Sequence, residues 1–110
     1  MMNEEFVEIL NRNYWFKVVE MLQQNWALIE PSQSAKGCIV YFIGDTSGVF
    51  DQIEFAEITE AEKQLRINGF AKYEDDEDAK QFIIPPPPPF RRSSHPNGAI
   101  YSSGRYWKSH

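Results

Sequence analysis

The residues best able to do chemistry in this chain are its single cysteine and its two histidines. Cys38 lies inside the apolar run CIVYFI, where a small thiol packs well, whereas a nucleophilic thiolate needs an exposed and electropositive setting. His95 and His110 both lie near the C-terminal end, without another metal ligand or triad member close by in sequence. We therefore predict a buried thiol, two surface histidines and no catalytic residue.

An acidic run at residues 74–78 brings several potential metal ligands together in sequence. Consecutive acids without the glycine and the spacing of a calcium loop do not converge on one ion. The run fits better as the first turn of a short helix through Ala79, Phe82 and Ile83, since carboxylates stabilise a helix N-terminus. With no glycine-rich phosphate loop or nucleophile elbow either, the sequence predicts no metal and no cofactor.

Aromatic side chains make up 15% of the chain, a high share for 110 residues. One interpretation is a pocket between helix and sheet that binds a small cationic or aromatic ligand, with a carboxylate facing the cation. Ordinary packing of the core is the other. The residues predicted to line such a pocket are Trp15, Trp26, Tyr41, Phe50 and Glu54.

Five consecutive prolines, residues 85–89, introduce a basic and aromatic C-terminal arm. The prolines favour an extended polyproline II conformation about 15 Å long, which has no backbone donors. The arm is either a ligand for an aromatic-lined groove in a partner, or a spacer that carries the tail across the protein's own surface or a partner subunit. The residues predicted to make these interactions are Phe90, Arg91, Arg92, Tyr101, Arg105, Tyr106 and Trp107.

Charge is distributed unevenly: residues 1–90 carry a net charge of −9, while residues 91–110 carry +4 and no acid. The acidic body argues against binding the phosphate backbone of nucleic acids, which requires many cations. The first residues lack a cationic leader, and no apolar stretch approaches the roughly 20 residues that cross a bilayer. We expect a cytoplasmic protein with no nucleic-acid and no membrane partner.

Hydrophobic periodicity predicts a helix over residues 3–24, because apolar side chains recur there at helical spacing. Short apolar runs predict strands over 26–30, 38–44 and 49–56, the last two joined as a hairpin by the polar turn GDTSG. In the strand over 38–44 both faces are apolar, so it should be central. Three antiparallel strands in sequence order form the simplest sheet.

A second helix is predicted over 59–68 by local signals. Thr59 and Glu62 have the spacing of a capping box, in which each side chain bonds the backbone N–H of the other. Asn68 and Gly69 suit the left-handed conformation that ends a helix, after which Phe70 folds back onto it.

The predicted architecture is an α+β domain over residues 1–84, followed by the Pro-rich arm over 85–110. An N-terminal helix, the helix over 59–68 and a further short helix pack on one face of the three-stranded sheet. The other face needs a cover, either the arm or a second copy, so we predict a homodimer. The leading function is a non-enzymatic module for protein interaction or self-association, and the alternative is a protein, or a minor enzyme, that binds a small molecule in the aromatic pocket.

Four stretches together resemble small bacterial proteins of unknown activity that are carried on mobile integron gene cassettes. They are YFIGDTSGVFDQIEF, EAEKQLRINGF, the proline run ending in Phe90, and HPNGAIYSSGRYW. The resemblance implies a small stand-alone α+β protein from a bacterium, with an adaptive role and an oligomeric state. It transfers no functional residue.

Overall fold

A seven-stranded mixed sheet dominates the fold. The computed structural model describes residues 5–20, 23–32 and 37–93, which also form two α-helices and one 3-10 turn. In chain order the elements are β1 (Phe6–Val7), β2 (Trp15–Glu20), β3 (Gln23–Pro31), β4 (Cys38–Ile43), β5 (Gly48–Phe55), α1 (Ile58–Ile67), β6 (Ala71–Lys72), the 3-10 turn (Tyr73–Asp75), α2 (Glu77–Phe82) and β7 (Phe90–Arg92).

The strand order across the sheet is β1-β7-β5-β4-β3-β2-β6. Strands β2 to β5 form an antiparallel meander, whereas β7 lies parallel to β5. At one margin β1 pairs with β7, so that Phe6 lies opposite Arg91. The two ends of the described chain therefore meet in one strand pair.

The predicted N-terminal helix over residues 3–24 is wrong. Its described part contains β1, an irregular segment, β2 and the start of β3. In β2, Trp15 lies opposite Ala27 and Phe16 lies opposite Trp26, so neighbouring side chains enter opposite faces of the sheet. Because both faces of β2 carry apolar residues, the same residues also satisfy a helical period. Their aromatic and β-branched side chains favour a strand, and that preference is the one the structure follows.

The predicted three-stranded sheet is wrong as well, because it omits four of the strands. The predicted strands over 26–30, 38–44 and 49–56 lie within or beside β3, β4 and β5, at the centre of the sheet. The four additional strands are β1, β2, β6 and β7, and three of these have only two or three residues. Such short strands depend on pairing with distant residues, which a local pattern does not reveal.

Helix α1 begins one residue earlier than predicted and without a capping box. Its N-cap is Glu57, with no side-chain cap, so Thr59 lies inside the first turn. The C-terminal signal is found as predicted: Gly69 has φ +91°, and the Phe70 N–H donates to the Leu65 carbonyl over 2.9 Å. Phe70 is buried against the core as a result.

Helix α1 covers one face of the sheet, here called the α1 face. Ala61 and Leu65 of the helix are buried against it, together with Phe70. Burying a large apolar side chain contributes about 1.5–3 kcal/mol, so this cluster is a main source of stability. Its sheet residues are Trp15, Ala27, Ile29, Cys38, Val40 and Phe42.

Two segments without regular structure cover the opposite face, here called the proline face. Residues 8–14 connect β1 at one margin to β2 near the other and bury Ile9. Residues 83–89 cross the same face from α2 to β7. Two hydrogen bonds hold this segment on the sheet. The Tyr14 hydroxyl donates to the Pro86 carbonyl over 2.7 Å, and the Ser47 hydroxyl donates to the Pro87 carbonyl over 2.6 Å. The buried residues of this face are Ile9, Trp26, Leu28, Ile43, Val49 and Phe90.

Candidate functional site

A cleft of about 460 Å³ opens beside the N-terminal half of α1. That volume lies within the usual range for small-molecule sites. Four separate parts of the chain line it: the segment before β2 with the first residue of that strand, the end of β3, the first turns of α1, and β6 with the 3-10 turn. The lining residues are Asn11, Asn13, Tyr14, Trp15, Ile29, Pro31, Ile58, Glu62, Lys72, Glu74 and Asp75.

The cleft combines buried apolar residues with more exposed charged ones. Trp15 and Ile29 are buried in the core of the α1 face, whereas Glu74 and Asp75 are exposed. Ile58 and Glu62 are one helical turn apart and therefore lie on the same side of α1. The base of the cleft is thus apolar and its mouth is polar, the usual arrangement of a small-ligand site.

Carboxylates outnumber cations among the lining residues. Glu62, Glu74 and Asp75 contribute three acids, against the single ammonium of Lys72. Glu74 lies 3.7 Å from the Lys80 ammonium in an exposed ion pair. Within the described part of the chain, Glu62 and Asp75 take part in no ion pair. The cleft is therefore suited to a ligand that carries positive charge.

The Trp15 indole already holds two cations from its own chain. The Arg66 guanidinium lies 5.0 Å from the ring centroid and the Lys72 ammonium lies 5.5 Å from it. Both distances are within the range of cation–π attraction. A ligand cation in the cleft would therefore be bound by the carboxylates rather than by the face of this indole.

The residues predicted to form an aromatic pocket lie at separate places. Trp15 lines the cleft, and Phe50 packs against Phe42 on the same face of the sheet, with ring centroids 6.4 Å apart. Trp26 is buried on the proline face, with Tyr41 partly buried beside the same cluster. Glu54, opposite Ile39 in the β4–β5 ladder, is exposed.

Of the predicted arm residues, three lie in the described chain and form β7. Phe90 is buried in the proline-face core, where the Arg12 guanidinium lies 5.3 Å from its ring centroid. Arg91 pairs in the sheet with Gly48, and the Arg92 Nε donates to a Glu5 carboxylate oxygen over 3.0 Å. Tyr101, Arg105, Tyr106 and Trp107 lie outside the described residues, so the boundary between a domain over 1–84 and an arm over 85–110 stays a prediction.

Cys38 lies in the core of the α1 face as a free thiol. Burial raises the pKa of this thiol, which keeps it protonated near neutral pH. Elsewhere in residues 5–20, 23–32 and 37–93, no group of three or more metal-ligating side chains is found. No helix in those ranges is long and apolar enough to span a membrane.

Sequence reasoning missed most of the cleft. Of its lining residues only Trp15 was predicted, because the others come from segments far apart in the chain. The acidic run at 74–78 was the one local signal, since Glu74 and Asp75 supply two of the carboxylates.

Comparison of the chain with protein-family models, with curated proteins and with solved structures finds no match in any of the three. The resemblance to integron cassette proteins therefore stays a prediction.

Proposed function

We propose that this protein binds a small organic amine in the cleft between α1 and the 3-10 turn. The observation that supports this function is the excess of carboxylates around a cleft of about 460 Å³ with an apolar base. The apolar base would take the hydrocarbon part of the ligand, and Glu62 with Asp75 would bind its ammonium group. The ligand class is therefore an amine with an apolar body.

Glu62 is the most informative residue for a test. It is half-buried, so its charge is less screened than that of an exposed acid, and it projects from α1 on the side of Ile58. Glu60 is a matched control, since it lies on the same helix, is exposed and does not line the cleft.

The probe is 2-phenylethylamine, with 2-phenylethanol as a neutral compound of similar shape. We expect the amine to raise the melting temperature and to shift amide NMR signals around the cleft, and the alcohol to do neither. Glu62→Gln should weaken amine binding about fivefold, because an ion pair at a partly exposed site contributes on the order of 1 kcal/mol. Glu60→Gln should bind the amine as the wild type does.

Two results would contradict this function. One is a wild-type protein that gives no thermal or NMR response to the amine at millimolar concentration. The other is equal binding of the amine and the alcohol, which would show that the ammonium charge of the ligand contributes nothing to its affinity.

A second candidate function is self-association, with the protein acting as a non-enzymatic interaction module. The observation that favours it is the pair of large apolar side chains at the end of α2, since Phe82 is 80% exposed and Ile84 is 87% exposed. Neighbouring exposed apolar side chains often mark an interface. A homodimer would bury them against a second copy, in a cytoplasmic protein.

Light scattering at several protein concentrations tests the dimer. We expect a dimer for the wild type and a monomer for Phe82→Glu combined with Ile84→Glu. Lys63→Glu, an exposed change of charge on α1, is the control and should leave the dimer intact. A monomeric wild type at 100 μM would exclude self-association as the function.

A further inference from the structure

The outer edge of β5 is open along most of its length. One edge of this strand pairs with β4 from Cys38 opposite Phe55 to Ile43 opposite Val49. On the other edge β7 pairs only with Gly48 and Val49. Among the described residues, therefore, no strand lies beside residues 51–55 on that side. An open edge of this kind is a template for another strand, and proteins usually cover it.

The open edge carries apolar and acidic side chains together. Ile53 and Phe55 pack against the core of the α1 face but are only partly buried. Asp51 and Glu54 lie on the same strand, and Glu57 lies two residues beyond its end. Within the described residues none of these three carboxylates takes part in an ion pair. The edge is therefore suited to a segment that is both apolar and basic.

A buried acceptor at the same edge lacks a donor. The side-chain oxygen Oε1 of Gln52 is buried, and no donor among the described residues reaches it. A buried polar atom without a hydrogen bond destabilises the folded state, because it has lost its bonds to water. A segment that lies along β5 with its own amides and hydroxyls could supply the missing bond.

The chain itself leads toward this edge. The Ser93 N–H donates to the Val49 carbonyl over 3.0 Å, which extends the parallel ladder of β7 by one bond. Because the pairing is parallel, β7 runs in the same direction as β5, toward the Phe55 end of that strand. The open stretch of five residues is about 17 Å long, and 17 residues follow Ser93. The chain is thus long enough to cover the edge and turn back.

The composition of the following residues matches the edge. Residues 94–110 contain Arg105 and Lys108 and no acid, with Ile100, Tyr101, Tyr106 and Trp107 as large apolar groups. A second copy matches less well, because two β5 strands side by side would bring the carboxylates of Asp51 and Glu54 from both copies to one edge, and like charges across strands are destabilising.

We infer that residues 94–110 of this chain bind the open edge of β5. In this arrangement the segment completes the sheet beyond Val49 and places its aromatic side chains over Ile53 and Phe55. Arg105 and Lys108 pair with the carboxylates of Asp51, Glu54 and Glu57. This cover is independent of amine binding in the cleft, because none of these residues lines it.

Amide hydrogen exchange by NMR on the full chain tests the inference. In the wild type, the amides of residues 51–55 that are not bonded to β4 should be protected, and the rings of Tyr101, Tyr106 or Trp107 should show nuclear Overhauser contacts to the Ile53 methyl groups. Arg105→Glu combined with Lys108→Glu should reduce that protection at least tenfold. Amides between β3 and β4 should exchange as before, which shows that the domain remains folded.

A charge exchange supplies the specific control. Adding Asp51→Lys and Glu54→Lys to the reversed tail should restore protection, since opposite charges then face each other again. Lys63→Glu should have no effect. The inference fails if the wild-type edge amides are unprotected, or if the tail reversal leaves their protection unchanged. It also fails if protection rises with protein concentration, because the covering strand then comes from a second copy.

Discussion

Nε1 of Trp26 donates a hydrogen bond to Oδ1 of Asp45, 2.8 Å away, and so ties the centre of the proline face to the β4–β5 turn. The other carboxylate oxygen of Asp45 accepts from the Gln24 N–H over 3.0 Å. The Trp26 ring is fully buried, with Tyr14, Phe16 and Tyr73 around it at centroid distances of 5.7–6.1 Å. The indole N–H therefore depends on this one acceptor.

Replacement of Asp45 tests that dependence. Asp45→Ala should lower the free energy of unfolding by about 2–3 kcal/mol, because it leaves the buried indole N–H without an acceptor. Asp45→Asn keeps one oxygen and should lose about half as much. Thr46→Ala, at the exposed neighbouring turn position, is the control. Urea denaturation measures all three, and equal stability of Asp45→Ala and Thr46→Ala would contradict the role of the bond.

Phe90 tests whether the segment after the prolines belongs to the core. Its ring is 2% exposed, beside Ile9 and Trp26, so Phe90→Ala should lower the free energy of unfolding by about 3–5 kcal/mol. Leu10→Ala, at a side chain that is 69% exposed, should change it by less than about 0.5 kcal/mol. Urea denaturation compares the two variants. A small effect at Phe90 would mean that β7 is not part of the stable core.

Stability should fall at alkaline pH. Burial raises the pKa of the Cys38 thiol and that of the Tyr14 phenol above their ordinary values, although the Arg12 charge partly lowers the latter. The folded state thus keeps protons that the unfolded state releases. The stability from this difference is complete below about pH 9 and is lost as the pH rises through the raised pKa values.

Two variants isolate these groups. Cys38→Ala and Tyr14→Phe should each flatten the decline in unfolding free energy between pH 8.5 and 11, measured by urea denaturation. Tyr14→Phe also removes the hydrogen bond to Pro86, so its stability at pH 7 should be about 1 kcal/mol lower. If the unfolding free energy of both variants falls with pH as steeply as that of the wild type, neither group causes the loss of stability at alkaline pH.

Substitution of Gly69 should destabilise the protein, because its backbone adopts a conformation that residues with a Cβ atom rarely adopt. At φ +91° a Cβ atom is strained, and it would also lie 3.3 Å from the Lys17 Cε atom. Gly69→Ala should therefore cost about 1–2 kcal/mol. Gly44→Ala is the matched control, since the nearest atom to its Cβ, the Gly48 carbonyl oxygen, is 3.9 Å away. Thermal unfolding of both variants should separate them clearly, and equal melting temperatures would contradict the argument.

The parts of the fold that sequence reasoning predicted depend on neighbouring residues. The β4–β5 hairpin follows from two apolar runs around a polar turn, and the end of α1 follows from Asn68 and Gly69. In contrast, Trp15–Glu20 is apolar on both faces, so a strand and a helix explain its pattern equally well. Pairing with Gln23–Pro31 decides between them, and that pairing is a tertiary interaction.

The location of the polyproline segment and of the cleft could not be predicted for the same reason. The prolines predict an extended chain, but only the hydroxyls of Tyr14 and Ser47, which are 72 and 40 residues away from their acceptors, place that chain on the sheet. The cleft likewise needs residues from Asn11 to Asp75 to be brought together. A local sequence pattern does not show which residues so far apart in the chain come into contact.

The pairing of β1 with β7 also determines when this protein can fold during its synthesis. Phe6 cannot pair until Arg91 has been synthesised, and the proline face around Trp26 stays only partly covered until residues 86–90 have been added. The hairpins of strands β2 to β5 can form earlier, but they expose apolar surface to water during translation. Closing the longest loop last makes folding slow for a chain of this size. The nascent chain is therefore most prone to aggregation before its proline run has been synthesised, because its apolar surface is then least covered.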